Sequence, residues 1–494
     1  MPEQSHGIHY VPRLLNAIAA VFLALLIHRA FVDVDLFNFD ALAYHLPFAG
    51  RVWGIVPRDE LLFVDHLEDV YNGFPLLGEI LQGFFWRFFG LIQAANLVAL
   101  GSLVLFCYFS SVYLAVPAGS LFLALLAVPV IQIHAAASLI DLPANVACAA
   151  TMLVAYRLYA QPAHPTWRDI VLFSVAAAAA ANIKFTMAPL VVLSLLAVVA
   201  RLMFLYRSDT PRMERRAGHK LLLMVSVLVA ISPIIFASLL KNLVVFGNPF
   251  YPYALSIFGT SLPHAIAPDV TTPLYLQDAP QSLRWLLSIF EFRAYDARRP
   301  FLWTGEQGFL PDGVPADRMG GYFFVYVIVS LLLFAILVRR NRVGQERVAA
   351  GFFVLLSVLT SVLPQSHELR YYMYWIIVLI TLNFYLLVRA RGDAGMGFGA
   401  PHLGIISCAM LITTVALTKA VYIRPTTQAT TVAITESIEP AIRAAVEKNP
   451  KICVLGMTNL FLLYADEFHP SLQYSVKAAY YPPQCGSRLV LPIP

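Results

Sequence analysis

The sequence predicts an all-α polytopic membrane protein with about 11 transmembrane helices. Interfacial helices are expected in its first outer loop and a small α/β appendage at its C-terminus. Three observations carry this. The 494-residue chain is 59% hydrophobic and 13% charged, with a mean hydropathy of +0.71; a soluble globular protein carries about 25% charged residues. Apolar runs long enough to cross roughly 30 Å of hydrocarbon recur along the chain. The basic residues behind the net charge of +5 cluster in short loops between those runs. That is an orientation signal rather than a nucleic-acid footprint, so no nucleic-acid partner is expected.

The expected spans are 12–31, 94–114, 117–136, 142–160, 168–184, 186–205, 220–242, 320–338, 348–364, 371–389 and 402–422. In the first, the run Leu14 to Ile27 follows Arg13 and leads into His28-Arg29-Ala30 without a small-residue cleavage site. It reads as a retained span, not a signal peptide. The run 74–91 is apolar but holds Glu79, Gln82 and Arg87, and each mid-bilayer charge costs about 2.5–3.5 kcal/mol. With the N-terminus inside and 74–91 left out of the bilayer, the loops bearing Arg157 and Arg168, Arg201 to Lys220, Arg339 to Arg347, and Arg389 and Arg391 all fall inside. If 74–91 crossed, all four would move outside, against the positive-inside rule. It therefore reads as an interfacial or re-entrant helix on the outer side. The expected location is a bacterial inner membrane, with a cytoplasmic N-terminus and a periplasmic or extracellular C-terminus.

This divides the chain into a transmembrane domain over 1–422 and a small outer domain over 423–494. The first outer loop, 33–91, concentrates acids between Asp33 and Phe74: Asp33, Asp35, Asp40, Asp59, Glu60, Asp65, Glu68 and Asp69. The large outer loop 243–319 opens on Phe246-Gly247-Asn248-Pro249-Phe250-Tyr251-Pro252, dense in turn formers. Loops of that length are usually functional or disordered, and its aromatic residues favour order. In the tail, 433–448 suits a helix and Ile452-Cys453-Val454-Leu455 a buried strand. Cys107, Cys148 and Cys408 lie in apolar runs and read as small hydrophobes. Cys453 and Cys485 could pair if the tail lies outside; sequence does not report the Cα separation that decides it.

Ionisable residues at span ends must be solvated, paired or functional. Four points recur at the outer boundary: Asp40, Asp141, Lys184, and the cluster of His367, Glu368 and Arg370. Residues 40–46 can form a short helix that puts Asp40 and Tyr44 on one face. Asp40 then reads either as a helix cap or as a chemical group. Asp141 precedes Pro143 at the start of a span, again a cap or a site residue. Lys184 has no carboxylate near it in sequence; it either snorkels to the interface or meets an anionic headgroup. Arg370, ahead of Tyr371-Tyr372-Met373-Tyr374-Trp375, suits an interfacial aromatic belt, with Glu368 as a possible ion partner.

There is no HExxH, no CxxC pair, no Walker-type glycine loop and no Gly-x-Ser-x-Gly. No metal site or cofactor is expected, although the loop acids offer the oxygen ligands a divalent cation takes. An outward carboxylate beside Lys and Arg at headgroup depth suits glycosyl transfer from a lipid-linked phosphosugar. The phosphate leaving group is already acidic, so cations must stabilise its developing charge. One carboxylate must take the acceptor proton. Soluble glycosidases need two carboxylates because their leaving group is an alcohol.

The same residues carry a resemblance. Asp40-Ala41-Leu42-Ala43-Tyr44-His45-Leu46-Pro47, Phe74-Pro75-Leu76-Leu77-Gly78-Glu79 leading to Phe89-Gly90, Ile140-Asp141, Asn182-Ile183-Lys184-Phe185-Thr186, Gly247 to Pro252, and Arg370-Tyr371 follow one another in span context. Over about residues 12–390 the chain resembles the GT-C class of integral membrane glycosyltransferases, in particular bacterial members related to protein O-mannosyltransferases and aminoarabinose transferases. The resemblance implies an inverting transferase that moves a sugar from a polyprenyl-phosphate-linked donor to a lipid, glycan or protein acceptor on the outer side. It implies Asp40 as general base, Asp141 as a second outer-loop acid, and Lys184 and Arg370 facing the donor phosphate. Tyr44, His45, His367 and Glu368 are the remaining expected substrate contacts. Many O-mannosyltransferases carry Asp-Glu in the first loop, and here Ala41 follows Asp40. A polysaccharide polymerase or ligase, or a flippase of lipid-linked intermediates, are the alternatives; a flippase would want polar residues near mid-membrane.

Overall fold

The computed structural model describes residues 6–32, 40–56, 65–161, 165–209, 215–257, 259–266, 276, 278–290, 321–340, 344–390, 398–424, 431–455, 461–479 and 482–492. Asp33, Asp35, Asp59, Glu60 and much of loop 243–319 lie outside the described residues.

All eleven expected spans hold helix. α1 (His6–Val32) leads to the first-loop helices: a π turn (Ala41–His45) running into α2 (Leu46–Val52), then α3 (Asp65–Gly73) and α4 (Leu77–Phe89). α5 (Leu97–Leu114), α6 (Ala118–Leu126), α7 (Pro129–Ala135), α8 (Asp141–Ala160), α9 (Trp167–Ile183), α10 (Ala188–Asp209), α11 (Arg215–Ile235) and α12 (Ala237–Phe246) follow. A two-stranded hairpin, β1 (Ser256–Ile257) with β2 (Thr260–Ser261), and α13 (Gln281–Phe290) belong to the large loop. α14 (Phe324–Arg340), α15 (Gly344–Val362), α16 (Tyr374–Ala390) and α17 (Ala400–Leu417) complete the bundle.

Among the described residues, six helical stretches are both long and apolar enough to cross a membrane, or seven if a bent pair counts as one span. The expected span 117–136 is that pair: α6 and α7 bend by 102° at Ala127-Val128. Pro129 explains the break, since it has no N–H to continue the α6 ladder. The other expected spans rest on shorter or more polar helices, such as α9, α14 and α16 at 17 residues each. α16 is the axis of the bundle, with every side chain from Tyr374 to Leu387 buried. α8 is almost as enclosed, and packs on α16 and α9. The outer helices α1, α10, α11 and α15 expose Val21, Leu196, Val229 and Val358, as lipid-facing helices do.

α4 does not behave as a span. Its 13 residues cover about 20 Å at 1.5 Å per residue, short of the roughly 30 Å of hydrocarbon. Its polar residues turn inward: Glu79 and Gln82 are buried, and Gln82 Nε2 donates to Ser138 O at 2.9 Å. Leu81, Phe84, Phe88 and Phe89 stay exposed on the other face. Gly83 lets α4 press on α2; a Cβ there would lie 2.5 Å from Ala49 O. A hydrophobic cluster separate from the bundle core holds this platform, centred on Leu42, Leu46, Phe48, Val70 and Trp86.

The tail folds as α18 (Thr431–Val446) with β3 (Lys451–Leu455), β4 (Ser475–Ala479) and β5 (Leu489–Pro492). The sheet is parallel, in the order β4-β3-β5, with Ile452 beside both Val476 and Leu489. Only the central strand was legible from the sequence; β4 and β5 are shorter on apolar pattern. Cys453 and Cys485 form a disulfide with Cα atoms 5.6 Å apart, and the other three cysteines are buried and free. Leu462 and Ala465 of the tail join the first-loop cluster, and Phe468 lies 6.1 Å from Trp86. The tail therefore packs on the first-loop platform.

Candidate functional site

The site forms where α8 and α16 begin, α9 ends and the first loop folds over them. Asp141 is the first residue of α8, where the helix dipole favours a carboxylate. Asn145, one turn on, donates to Asp141 O at 2.8 Å and Arg370 O at 3.0 Å. Its Oδ1 accepts from Tyr374 N at 2.9 Å. One buried amide thus fastens the start of α8 to the start of α16, in a place where an unmatched amide would cost about 1–3 kcal/mol.

Two acid–cation pairs stand at this junction. Arg370 Nη1 donates to Asp40 Oδ2 at 2.7 Å. Lys184 Nζ donates to Asp141 Oδ1. Tyr371 lies between the cations: Lys184 Nζ sits 3.9 Å from its ring centroid and Arg370 Cζ 4.9 Å. Arg370 Nη2 also donates to the Tyr371 hydroxyl at 3.1 Å. Four charges from segments up to 330 residues apart are gathered around one ring.

Several sequence expectations change here. Asp40 opens the π turn with helical backbone angles and makes no side-chain cap bond. Its carboxylate is committed to Arg370 instead. Asp141 is not a cap either; α8 starts at Asp141 itself, with Ile140 in the cap position. Lys184 is held by Asp141 from 43 positions upstream, which replaces the snorkelling reading. The aromatic belt after Arg370 is overturned: Tyr372, Tyr374 and Trp375 are buried in the bundle. Arg370 is itself buried, and its carboxylate partner is Asp40.

The π turn follows from local sequence. Leu46 N–H reaches back five residues to Ala41 O, and Pro47 has no N–H to add to the ladder. Such turns occur frequently at functional sites. Tyr44 projects beside Asp40. Burial first, and then the Asp40 carboxylate, raise its phenol well above the usual range, so it stays a neutral O–H donor. The His45 ring lies 4.3 Å from the Tyr44 ring, centroid to centroid, and bonds through Nδ1 to Glu79 Oε1 of α4 at 2.7 Å, with His45 and Glu79 both buried. His45 therefore ties the π turn to the platform. His367 and Glu368 lie on the turn ahead of Arg370, His367 Nε2 4.0 Å from Glu368 Oε1.

Sequence reasoning missed Tyr371, Asn145, Glu79 as the partner of His45, and His134, whose Nε2 lies 4.0 Å from Asp141 Oδ2. Asn145 carried a usable signal, an amide one turn beyond Asp141 in an apolar run. His134 sits on the short arm of the bent pair, and nothing in sequence linked it to Asp141.

The fold, a helical bundle with first-loop helices packed over one end and a small C-terminal appendage, is shared with solved structures. Two crystal structures of ArnT from Cupriavidus metallidurans are similar to the chain. The apo state gives a TM-score of 0.50 at 13% identity, covering 96% of this chain and 90% of that one. The structure bound to undecaprenyl phosphate gives 0.50 at 14% identity, covering 97% and 89%. No protein-family model and no curated protein matches the sequence.

Proposed function

We propose that the chain is an inverting glycosyltransferase. It moves a sugar from a polyprenyl-phosphate-linked donor to a lipid, glycan or protein acceptor on the outer side of a bacterial inner membrane. The observation that carries this is the convergence of Asp40, Asp141, Lys184 and Arg370 around Tyr371. The ArnT fold, one of whose structures holds undecaprenyl phosphate, supports the same lipid class here.

The chemistry follows from the groups. The donor phosphate competes with Asp40 and Asp141 for Arg370 and Lys184. As Arg370 turns to the phosphate, the Asp40 carboxylate is released beside the acceptor hydroxyl. The acceptor oxygen attacks the anomeric carbon, its proton passes to Asp40, and the bond from that carbon to the phosphate oxygen breaks. The electron pair leaves on the polyprenyl phosphate, stabilised by the two cations. A single displacement inverts the anomeric centre. Because Lys184 and Arg370 supply the positive charge, the step calls for no metal or other cofactor.

Sidedness has two supports. The end of the bundle opposite the site carries Arg157, Arg168, Arg207, Arg339, Arg340 and Arg389, which suits the cytoplasm. The Cys453–Cys485 disulfide suits an oxidising compartment for the tail. Proteoliposomes supplied with polyprenyl-phosphate sugars and envelope lipids test the transfer. Asp40→Asn should lower it by about 10²–10⁴ while binding of undecaprenyl phosphate persists. Full transfer by that variant removes Asp40 as the base.

A further inference from the structure

An aromatic wall stands beside the acid–cation site and has no part in the chemistry above. Three distant segments build it: Phe74 ahead of α4, Phe185 directly after Lys184, and Phe250 with Tyr253 in the opening of the large loop. Phe74 and Phe185 rings meet edge to face at 6.0 Å and Phe185 and Phe250 at 5.7 Å, while Phe74 and Tyr253 lie tilted at 5.6 Å. Packing accounts for Phe185, which is 8% exposed, but not for Tyr253, which is 42% exposed.

The turn that carries the exposed ring is nonetheless held in place. Asn248, fully buried, donates to Tyr253 O and to Pro263 O, both at 2.8 Å. Tyr253 N–H donates to Phe250 O at 3.0 Å. Asn242 locks the same turn to the first loop through Gly73 O at 2.7 Å and Tyr251 O at 2.9 Å. The Tyr253 phenol lies within the fields of Asp40 and Arg370. Burial against its neighbours and the Asp40 carboxylate push it up to about 12, so it is a neutral O–H donor at neutral pH.

A sugar ring has an apolar C–H face and a rim of hydroxyls. An aromatic ring with a polar handle matches both. We infer that Tyr253 forms a carbohydrate-ring subsite: its exposed face stacks on the donor sugar while its hydroxyl donates to a sugar oxygen, with the anomeric phosphate on Arg370 and Lys184. This rests on the transferase function proposed above.

Binding to the full-length protein in nanodiscs separates the two. The probes are bare undecaprenyl phosphate and a panel of undecaprenyl-phosphate hexoses and pentoses. Wild type should bind at least one glycosylated carrier more tightly than the bare one. Tyr253→Leu should erase roughly three- to tenfold of that preference and leave bare-carrier affinity unchanged, which also shows that the variant is folded. Tyr253→Phe should keep most of the preference. Failure of wild type to bind the bare carrier overturns the transferase reading. Binding of the bare carrier with no sugar preference, or a preference that survives Tyr253→Leu, overturns the subsite. A Tyr253→Leu loss equal for all carriers assigns the ring to the lipid and also overturns it.

Discussion

The two acid–cation pairs differ in what carries them. Asp141 and Lys184 sit on adjoining ends of α8 and α9, which pack tightly along their length, and the Asp141 side chain is 2% exposed. Asp40 sits on a π turn of the first loop and reaches an arginine 330 residues away, with its side chain 15% exposed. The first pair is built into the bundle. The second joins the loop to it, and in the proposed mechanism it is the pair that opens. In that mechanism the fixed pair holds a cation in position, and the loop-borne pair releases a base when a better anion arrives.

After the loss of Asp40 itself, the largest effect should come from the cation of the movable pair. Arg370→Gln should lower transfer by about 10²–10³ and weaken binding of undecaprenyl phosphate, measured on the same proteoliposomes. An unchanged affinity for the bare carrier would assign Arg370 to the loop alone.

The fixed pair should show itself in stability. Asp141→Asn or Lys184→Met should each cost about 3–5 kcal/mol, because each leaves one charge buried without its partner. The double variant should recover much of that loss in denaturant unfolding, yet remain inactive. The same cycle on Asp40 and Arg370 should give a smaller coupling, since the loop can re-expose Asp40 to water. Equal couplings would erase the distinction between the pairs.

The platform beneath the movable pair should matter less. Glu79→Gln keeps the shape but weakens the bond to His45, at a cost of about 1 kcal/mol. It should raise the donor KM more than it lowers kcat, because it loosens the π turn without touching the reacting groups. The smallest effect is expected from chelation: EDTA should leave transfer unchanged, as the cations are side chains. Loss of turnover that is restored by a divalent ion would reassign the phosphate charge to a metal.

Much of this fold was legible because hydropathy is a sum over neighbours in sequence. The helices over all eleven expected spans, a helix within 74–91, the tail helix and β3 each follow from a local pattern. The bend between α6 and α7 had its signal in Pro129, but one apolar run hid it. At the site the residue types were legible and their partners were not. Local spacing left Asp40 and Asp141 each between a cap and a site residue, since an acid ahead of a helix is commonly a cap. Lys184 read as a lone cation because its carboxylate is 43 residues away.

The sequence by itself determined the solvent this protein folds in, where its helices run, and that acids and cations gather at span ends; hydrophobic transfer and helix formation act over short stretches of chain. Only the tertiary structure decided which acid meets which cation, that Tyr371 stands between the cations, and that Tyr253 packs on Phe74 beside them. Those contacts depend on which helix ends are packed together, and a buried charge is stabilised by whatever opposite charge the packing brings within about 3–4 Å, however distant in sequence.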